Sequence, residues 1–198
     1  MKEKYLNFMT SFITKYNKYS DEQIEEIRYG LEGLYLTFTK LIIILIISYI
    51  LHITKDLITL LLLFNILRFT GFGFHARTSL ECLFCSTVLF IGLPYLVIIL
   101  NIDKYILLII GCISVVVLSI FAPADTVKRP LPNKRKRKIR KVSTIVISLT
   151  YIVIAYSIKD YRLSSMFIIS TVLEAIMVSP LIYKLFKQPY RNYLNYKG

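Results

Sequence analysis

Apolar runs long enough to cross a bilayer recur along this chain from residue 34 to residue 185, and they dictate its fold class. Backbone N–H and C=O groups carried into hydrocarbon must be satisfied within their own segment, so such runs fold as helices. A crossing takes ~20 apolar residues, with a range of ~17–25. Six spans follow: 34–53, with Lys40 inside it; 57–67; 79–101, with Pro94 inside it; 105–122; 142–158; and 163–185. The second falls below that range, and the polar turn of Thr54, Lys55 and Asp56 before it suits a helical hairpin. Apolar residues make up 56% of the chain and the mean hydropathy is +0.60, too apolar for an ordinary soluble domain. The first 30 residues are polar and charged, without the early apolar stretch of a cleavable signal peptide. No internal repeat or linker marks a second domain. The expectation is an all-α, polytopic membrane helix bundle of about six transmembrane helices, one of them short, forming a single membrane domain over residues 1–198.

Basic residues orient the spans. With the N-terminus in the cytoplasm, 20 Lys and Arg fall on cytoplasmic segments and 4 on outer loops, leaving Lys40 within the first span. Both termini are therefore expected inside, in a multi-pass cell-membrane protein. The densest block is KRPLPNKRKRKIRKV, residues 128–142, in a basic cytoplasmic loop over 123–141. Such a loop serves as the positive-inside signal and as a contact for anionic lipids. It also suits an acidic peptide substrate. Nucleic-acid binding is not expected, because no folded reader domain accompanies the net charge of +13. Three cysteines, an odd number, make no disulfide framework, and Cys112 in an apolar run reads as a small core residue.

Ahead of the spans, Tyr5, Phe8, Met9, Phe12, Ile13 and Tyr16 recur at helical spacing. They predict an amphipathic interfacial helix within a cytoplasmic segment, 1–33. Ser20 and Gln23 have capping-box spacing, which starts a second helix there.

Chemistry concentrates in RFTGFGFHARTSLECLFC, residues 68–85. It holds one of only two histidines, His75, seven residues before Cys82. Gly71 and Gly73 break the helical pattern and permit close approach of a second chain segment. Thr78 and Glu81 have capping-box spacing, which puts Cys82 near a helix N-terminus, where N–H groups and the helix dipole favour a thiolate. Arg77 adds positive charge nearby. On one continuous helix seven residues separate the pair by ~10.5 Å, too far for a hydrogen bond. A thiol nucleophile with an imidazole base therefore requires a turn between residues 75 and 78. The bland readings are an interfacial histidine and a small packing cysteine. Cys82 and Cys85 also form a CxxC, which allows a membrane thiol oxidoreductase, and with His75 a three-ligand metal site.

With Ala122-Pro-Ala-Asp-Thr126 and Arg129-Pro130 ahead of the Lys/Arg run, this segment resembles the accessory gene regulator protein B family over nearly the whole chain. These are membrane cysteine peptidases of Gram-positive quorum sensing. The resemblance implies that Cys82 is the nucleophile and His75 its general base. It implies cleavage of a small amphipathic precursor peptide with an acidic C-terminal tail, through a thioester on Cys82. A thiol or hydroxyl within the peptide then closes a thiolactone or lactone. Neither a cofactor nor a metal is implied. Lys128, Arg129, Lys134, Arg135, Lys136 and Arg137 are the candidates for holding the tail. Arg68, Gly73, Thr78, Ser79 and backbone N–H groups near Thr78 are the oxyanion or supporting candidates, and Asn65 a candidate orienter of His75. The resemblance and the short second span point to a homodimer.

Glu174 in the sixth span and Lys40 in the first are ionisable groups at membrane depth, where the default reading is functional. They are candidates for a pair across the bundle, and for the centre of a non-enzymatic peptide transporter. His52 falls at the outer end of the first span and reads as interfacial.

Overall fold

The computed structural model describes residues 2–15, 19–74, 79–126 and 130–194, without the side chains of Ser79 and Leu80. The chain divides into two compact units, Met1–Ile47 and Ser48–Gly198.

In the first unit, α1 (Lys2–Thr14) lies against the early part of α2 (Asp21–Ile50). Lys2 meets Glu32 at 2.7 Å, Arg28 meets Glu3 at 2.6 Å, and the rings of Tyr5 and Tyr35 lie 5.3 Å apart. Leu6 is buried, while Phe8 and Phe12 point outward. The expected amphipathic helix is therefore present, but it is tied to α2 through its polar side. The capping box at Ser20 forms in both directions: the Ser20 N–H donates to Gln23 Oε1 at 3.0 Å, and the Gln23 N–H to Ser20 Oγ at 3.3 Å. That cap starts a 30-residue helix, so the helix expected at Ser20 and the first span are one element.

In the second unit, α3 (Thr54–Gly71) is 18 residues long, extending past both ends of the expected 57–67 span and taking in Lys55, Asp56 and Arg68. Next come α4 (Ser79–Thr87), a π-helical stretch (Val88–Gly92) and α5 (Leu93–Leu100), continuous as one span. The π turn sits just ahead of Pro94. Proline leaves the carbonyl four residues back without its N–H partner, and a π adjustment lets the following N–H serve it. Then α6 (Lys104–Phe121) begins at Asp103, whose carboxylate accepts from the N–H groups of Tyr105 and Ile106. Helix α7 (Lys134–Ser157) begins at Asn133, and α8 (Tyr161–Val178) at Asp160. The expected sixth span, 163–185, breaks at Ser179: α8 ends there and α9 (Pro180–Leu185) restarts with the Ser179 hydroxyl capping the Leu181 N–H.

Among the described residues, five helical segments are long and apolar enough to cross a membrane, making this a multi-pass helical membrane protein. Their outward residues, such as Ile106, Ile109, Ile113, Val116 and Ile120 on α6, form the stripe that lipid would cover. Helix α8 is the most enclosed of the five and packs on α3, α6 and α7. Ser164, Ser165, Ser170 and Thr171 keep it slim and return their hydroxyls to backbone carbonyls. One end of this unit is fastened by Arg162 on Asp56 at 2.9 Å and by the Tyr161 hydroxyl, which donates to the carbonyls of Val97 and Ile102. His52 lies at that end, in the turn before α3. The opposite end carries the candidate chemistry.

Candidate active site

Helix α3 stops at Gly71, and the chain runs on non-helically through Phe72, Gly73 and Phe74. This strip is held on three sides. Phe72 pairs in parallel with Ala124; the Ala124 N–H donates to Gly71 O at 3.0 Å and the Gly73 N–H to Ala124 O at 2.6 Å. The Phe74 N–H donates to Met177 O, on α8, at 2.8 Å. Arg68, one turn back on α3, donates to the carbonyls of Phe72, Gly73 and Phe74 in succession. Phe74 is buried, 4.6 Å from the Phe186 ring and 6.1 Å from Tyr183. Arg140, from α7, lies over the Phe72 ring at 4.2 Å and donates to Phe69 O.

The two glycines are required by their surroundings. Gly73 has φ +107°, and a Cβ there would come within 2.6 Å of Met177 O. A Cβ on Gly71 would fall on the Glu174 carboxylate, 3.2 Å from its carboxyl carbon.

Cys82 sits in the first described turn of α4. Its Sγ is 4.0 Å from Ser86 Oγ, and both line a cavity of about 220 Å³. Phe64, Phe74, Phe90 and Met177 make its apolar wall, and Asn65, Arg68 and Cys85 complete it. Cys82 and Cys85 are both free thiols. The thiol and the end of the pinned strip thus open on one space.

His75, Arg77, Thr78, Lys128 and Arg129 lie outside the described residues, as does the side chain of Ser79, and with them the 75–78 turn and the Thr78 cap. Two oxyanion candidates are engaged elsewhere. The Gly73 N–H is spent on Ala124, and the Arg68 guanidinium on three backbone carbonyls. Asn65 donates to Leu61 O within its own helix. Within its own unit, the cation beside Glu174 is Arg68, at 3.8 Å. Cys112 is exposed on α6 and is no core residue.

The basic run is largely helical. Lys134, Arg135, Lys136 and Arg137 form the first turn of α7, so the loop expected over 123–141 ends at Asn133. Lys134, Arg137, Lys138 and Lys141 line a second cavity of about 290 Å³ with Asp125, Tyr190 and Arg191. Asp125 stands in the Ala122–Thr126 motif without a role assigned from the sequence, yet it organises this end. Its buried carboxylate accepts from the Leu131 N–H at 3.3 Å and the Asn192 N–H at 3.0 Å, and its carbonyl accepts from the Tyr183 hydroxyl at 3.1 Å. Burial pushes the Tyr183 phenol above the usual tyrosine range, so it stays a donor. The available signal was a carboxylate standing directly after an apolar run, inside Ala-Pro-Ala-Asp-Thr. Arg137 stacks on the Tyr193 ring at 3.2 Å, closing the C-terminal segment under α7.

A family model described as accessory gene regulator B matches residues 6–178. The chain belongs to that family. Among its relatives, an accessory gene regulator protein B of Staphylococcus aureus is 32% identical over 173 residues, covering 87% of this chain and 90% of its own. A putative AgrB-like protein of Clostridium acetobutylicum is 27% identical over 195 residues, 98% of this chain and 93% of its own. Another, from Listeria innocua, is 30% identical over 182 residues, 91% and 88%. No solved structure matches. Family membership gives this membrane protein a role in the agr quorum-sensing system.

Proposed function

We propose that the protein is a membrane cysteine endopeptidase that trims and cyclises a small precursor peptide for quorum sensing. The observation that carries this reading is the convergence on one cavity of the Cys82 thiol and the strip that leads directly into His75. His75 takes the proton from Cys82, and the thiolate attacks a backbone carbonyl of the precursor. The C–N bond breaks, the leaving amine takes the proton from imidazolium, and the N-terminal part of the peptide remains on Cys82 as a thioester. A thiol or hydroxyl within that peptide then attacks the same carbonyl, Sγ leaves and is reprotonated, and the ring is closed. Holding both reacting groups on one enzyme makes the second step intramolecular. Hydrolysis is disfavoured because the cavity wall is mostly apolar.

The apolar cavity suits the side chain of the residue whose carbonyl is attacked. The cationic cavity at the start of α7 suits the acidic tail, because Lys134, Arg137, Lys138 and Lys141 present four positive charges with little competing negative charge. The distribution of basic residues supports a cytoplasmic location for both cavities and both termini. The reading is tested by incubating the full chain, in bilayers, with its precursor and isolating the acyl-enzyme by mass spectrometry. An adduct on Cys82, absent from Cys82→Ala and slow to form in His75→Ala, is the expected result. Cleavage that persists in Cys82→Ala would sink it.

A further inference from the structure

Hydroxyl groups on the helices of the second unit commonly return to a carbonyl one turn back. Thr87 donates to Leu83 O, Ser114 to Ile110 O and Thr144 to Arg140 O, each at 2.9 Å. Ser86, on α4, is placed otherwise. Its Oγ meets Cys82 Sγ, at 4.0 Å, one turn earlier on the same face of the helix.

The cavity around this contact gives it a use. Of the described residues that line it, Ser86 alone carries a hydroxyl. Asn65 donates to Leu61 O, and Arg68 donates to three carbonyls of the strip. Cys85 offers only a weak S–H donor. The rest of the wall is three phenylalanines and Met177, which cannot solvate a charge. Between a thiol and a hydroxyl, either group can donate. Once the sulfur is a thiolate, only the hydroxyl can. A bond of that kind shortens and strengthens as charge gathers on the acceptor. Contacts between catalytic groups are often long at rest and tighten during the reaction.

We propose that Ser86 is a further catalytic residue of the peptidase, its hydroxyl donating to the Cys82 sulfur as that sulfur leaves in ring closure. This rests on the reading of Cys82 as the nucleophile. In that step a thiol or hydroxyl of the bound peptide attacks the thioester carbonyl. A C–S or C–O bond forms, the C–Sγ bond breaks, and its electron pair goes to Sγ. The proton lost by the attacking group ends on Sγ, while Ser86 keeps its own. Negative charge on the sulfur grows toward the transition state. A donor aimed at it therefore lowers that barrier more than it steadies the neutral thioester. Acylation responds less. There the same donor enlarges the thiolate fraction but blunts its nucleophilicity, and at a Brønsted slope of ~0.4–0.5 the two effects partly cancel. Losing a donor that favours the thiolate about tenfold thus slows attack only about threefold.

The test uses the full-length protein in bilayer nanodiscs, in excess over its precursor, so that a single turnover is followed. Samples quenched in acid at intervals are analysed by mass spectrometry for acyl-Cys82 and for cyclic product. Rates are expressed per folded molecule, counted by gel filtration. Ser86→Ala removes the hydroxyl and substitutes a better helix former. Ring closure is expected to fall about tenfold and acylation no more than about threefold, so acyl-Cys82 accumulates above the wild-type level. Ser86→Thr retains a hydroxyl and should recover part of the loss. Thr87→Ala, whose hydroxyl is held by Leu83 O outside the cavity lining, should leave both rates unchanged. A donor to the carbonyl oxygen would instead slow both steps alike, because a tetrahedral oxyanion forms in each. Equal loss of the two rates in Ser86→Ala, or no loss of either, overturns this inference and leaves the Cys82 reading intact. A wild-type protein that cleaves its precursor without acyl-Cys82 overturns both.

Discussion

Replacing Gly73 by alanine tests how tightly the strip ahead of His75 is held. At φ +107° an alanine is strained by ~1–3 kcal/mol. Its Cβ also meets Met177 O at 2.6 Å, and that atom is backbone in the most enclosed helix, so the strip must move instead. Movement loosens two hydrogen bonds, Gly73 to Ala124 and Phe74 to Met177, each worth ~1 kcal/mol net. A displacement penalty near ~3 kcal/mol corresponds to roughly 100-fold in rate, at ~1.4 kcal/mol per factor of ten. Precursor cleavage in membrane vesicles, quantified by mass spectrometry, should fall by about that factor. The detergent-solubilised protein should keep its gel-filtration profile, because contacts among α3, α6, α7 and α8 are otherwise untouched. Gly33→Ala is the comparison: nothing lies within 4 Å of its Cβ, so cleavage there should be unchanged. Gly73→Ala cleaving within threefold of wild type would falsify the claim that this strip is rigidly set.

Three further outcomes follow from the same end of the molecule. Asp125→Ala removes the acceptor of two backbone N–H groups, at ~1–3 kcal/mol for each one left unpaired, so limited proteolysis should release the segment around Asn192 faster than in wild type. Burial raises the Tyr183 phenol in the folded state, so its stabilising contribution is complete below the ordinary tyrosine value of ~10 and is lost as pH climbs above it. Melting temperatures between about pH 9 and 11 should therefore fall less steeply in Tyr183→Phe than in wild type. Charge reversal at Lys134 and Lys138 should raise KM for an acidic-tailed precursor at least about tenfold at low salt and less at high salt, with kcat nearly constant. An equal rise for a precursor whose tail carboxylates are amidated refutes the tail assignment.

The all-helical membrane class and the Ser20 cap were legible because their causes are local. Ser20 and Gln23 answer each other across one turn, and apolar length alone marks the spans of α2, α6 and α8. Charge hid the rest. Lys55, Asp56 and Arg68 made α3 read as short, although Asp56 finds Arg162 and Arg68 finds the strip's carbonyls once the helices meet. The basic run read as a loop because it lies between two apolar runs, yet Asn133 caps it and α7 carries it at an exposed helix end. Cys112 was assigned inward because every residue of an apolar run is equally acceptable facing lipid; only packing decides. In the candidate site, glycine, histidine and cysteine were visible as residue types. The work done by Arg68 was not, because pairing it with three carbonyls and Glu174 requires α3 and α8 to be adjacent.

The clamp of the C-terminal segment bears on how this protein is handled at the bench. Asn192 is bound to Asp125 and Tyr193 lies under Arg137, so a reporter joined after residue 198 follows closely on a segment that lines the cationic cavity. An acidic epitope tag placed there would offer its carboxylates in cis, at an effective concentration that is roughly millimolar for a short flexible linker. It would act as a tethered inhibitor, and a neutral tag would not. Used deliberately, an acidic extension with a protease-cleavable linker would keep the protein silent until cut, giving a synchronised start for turnover measurements in membranes.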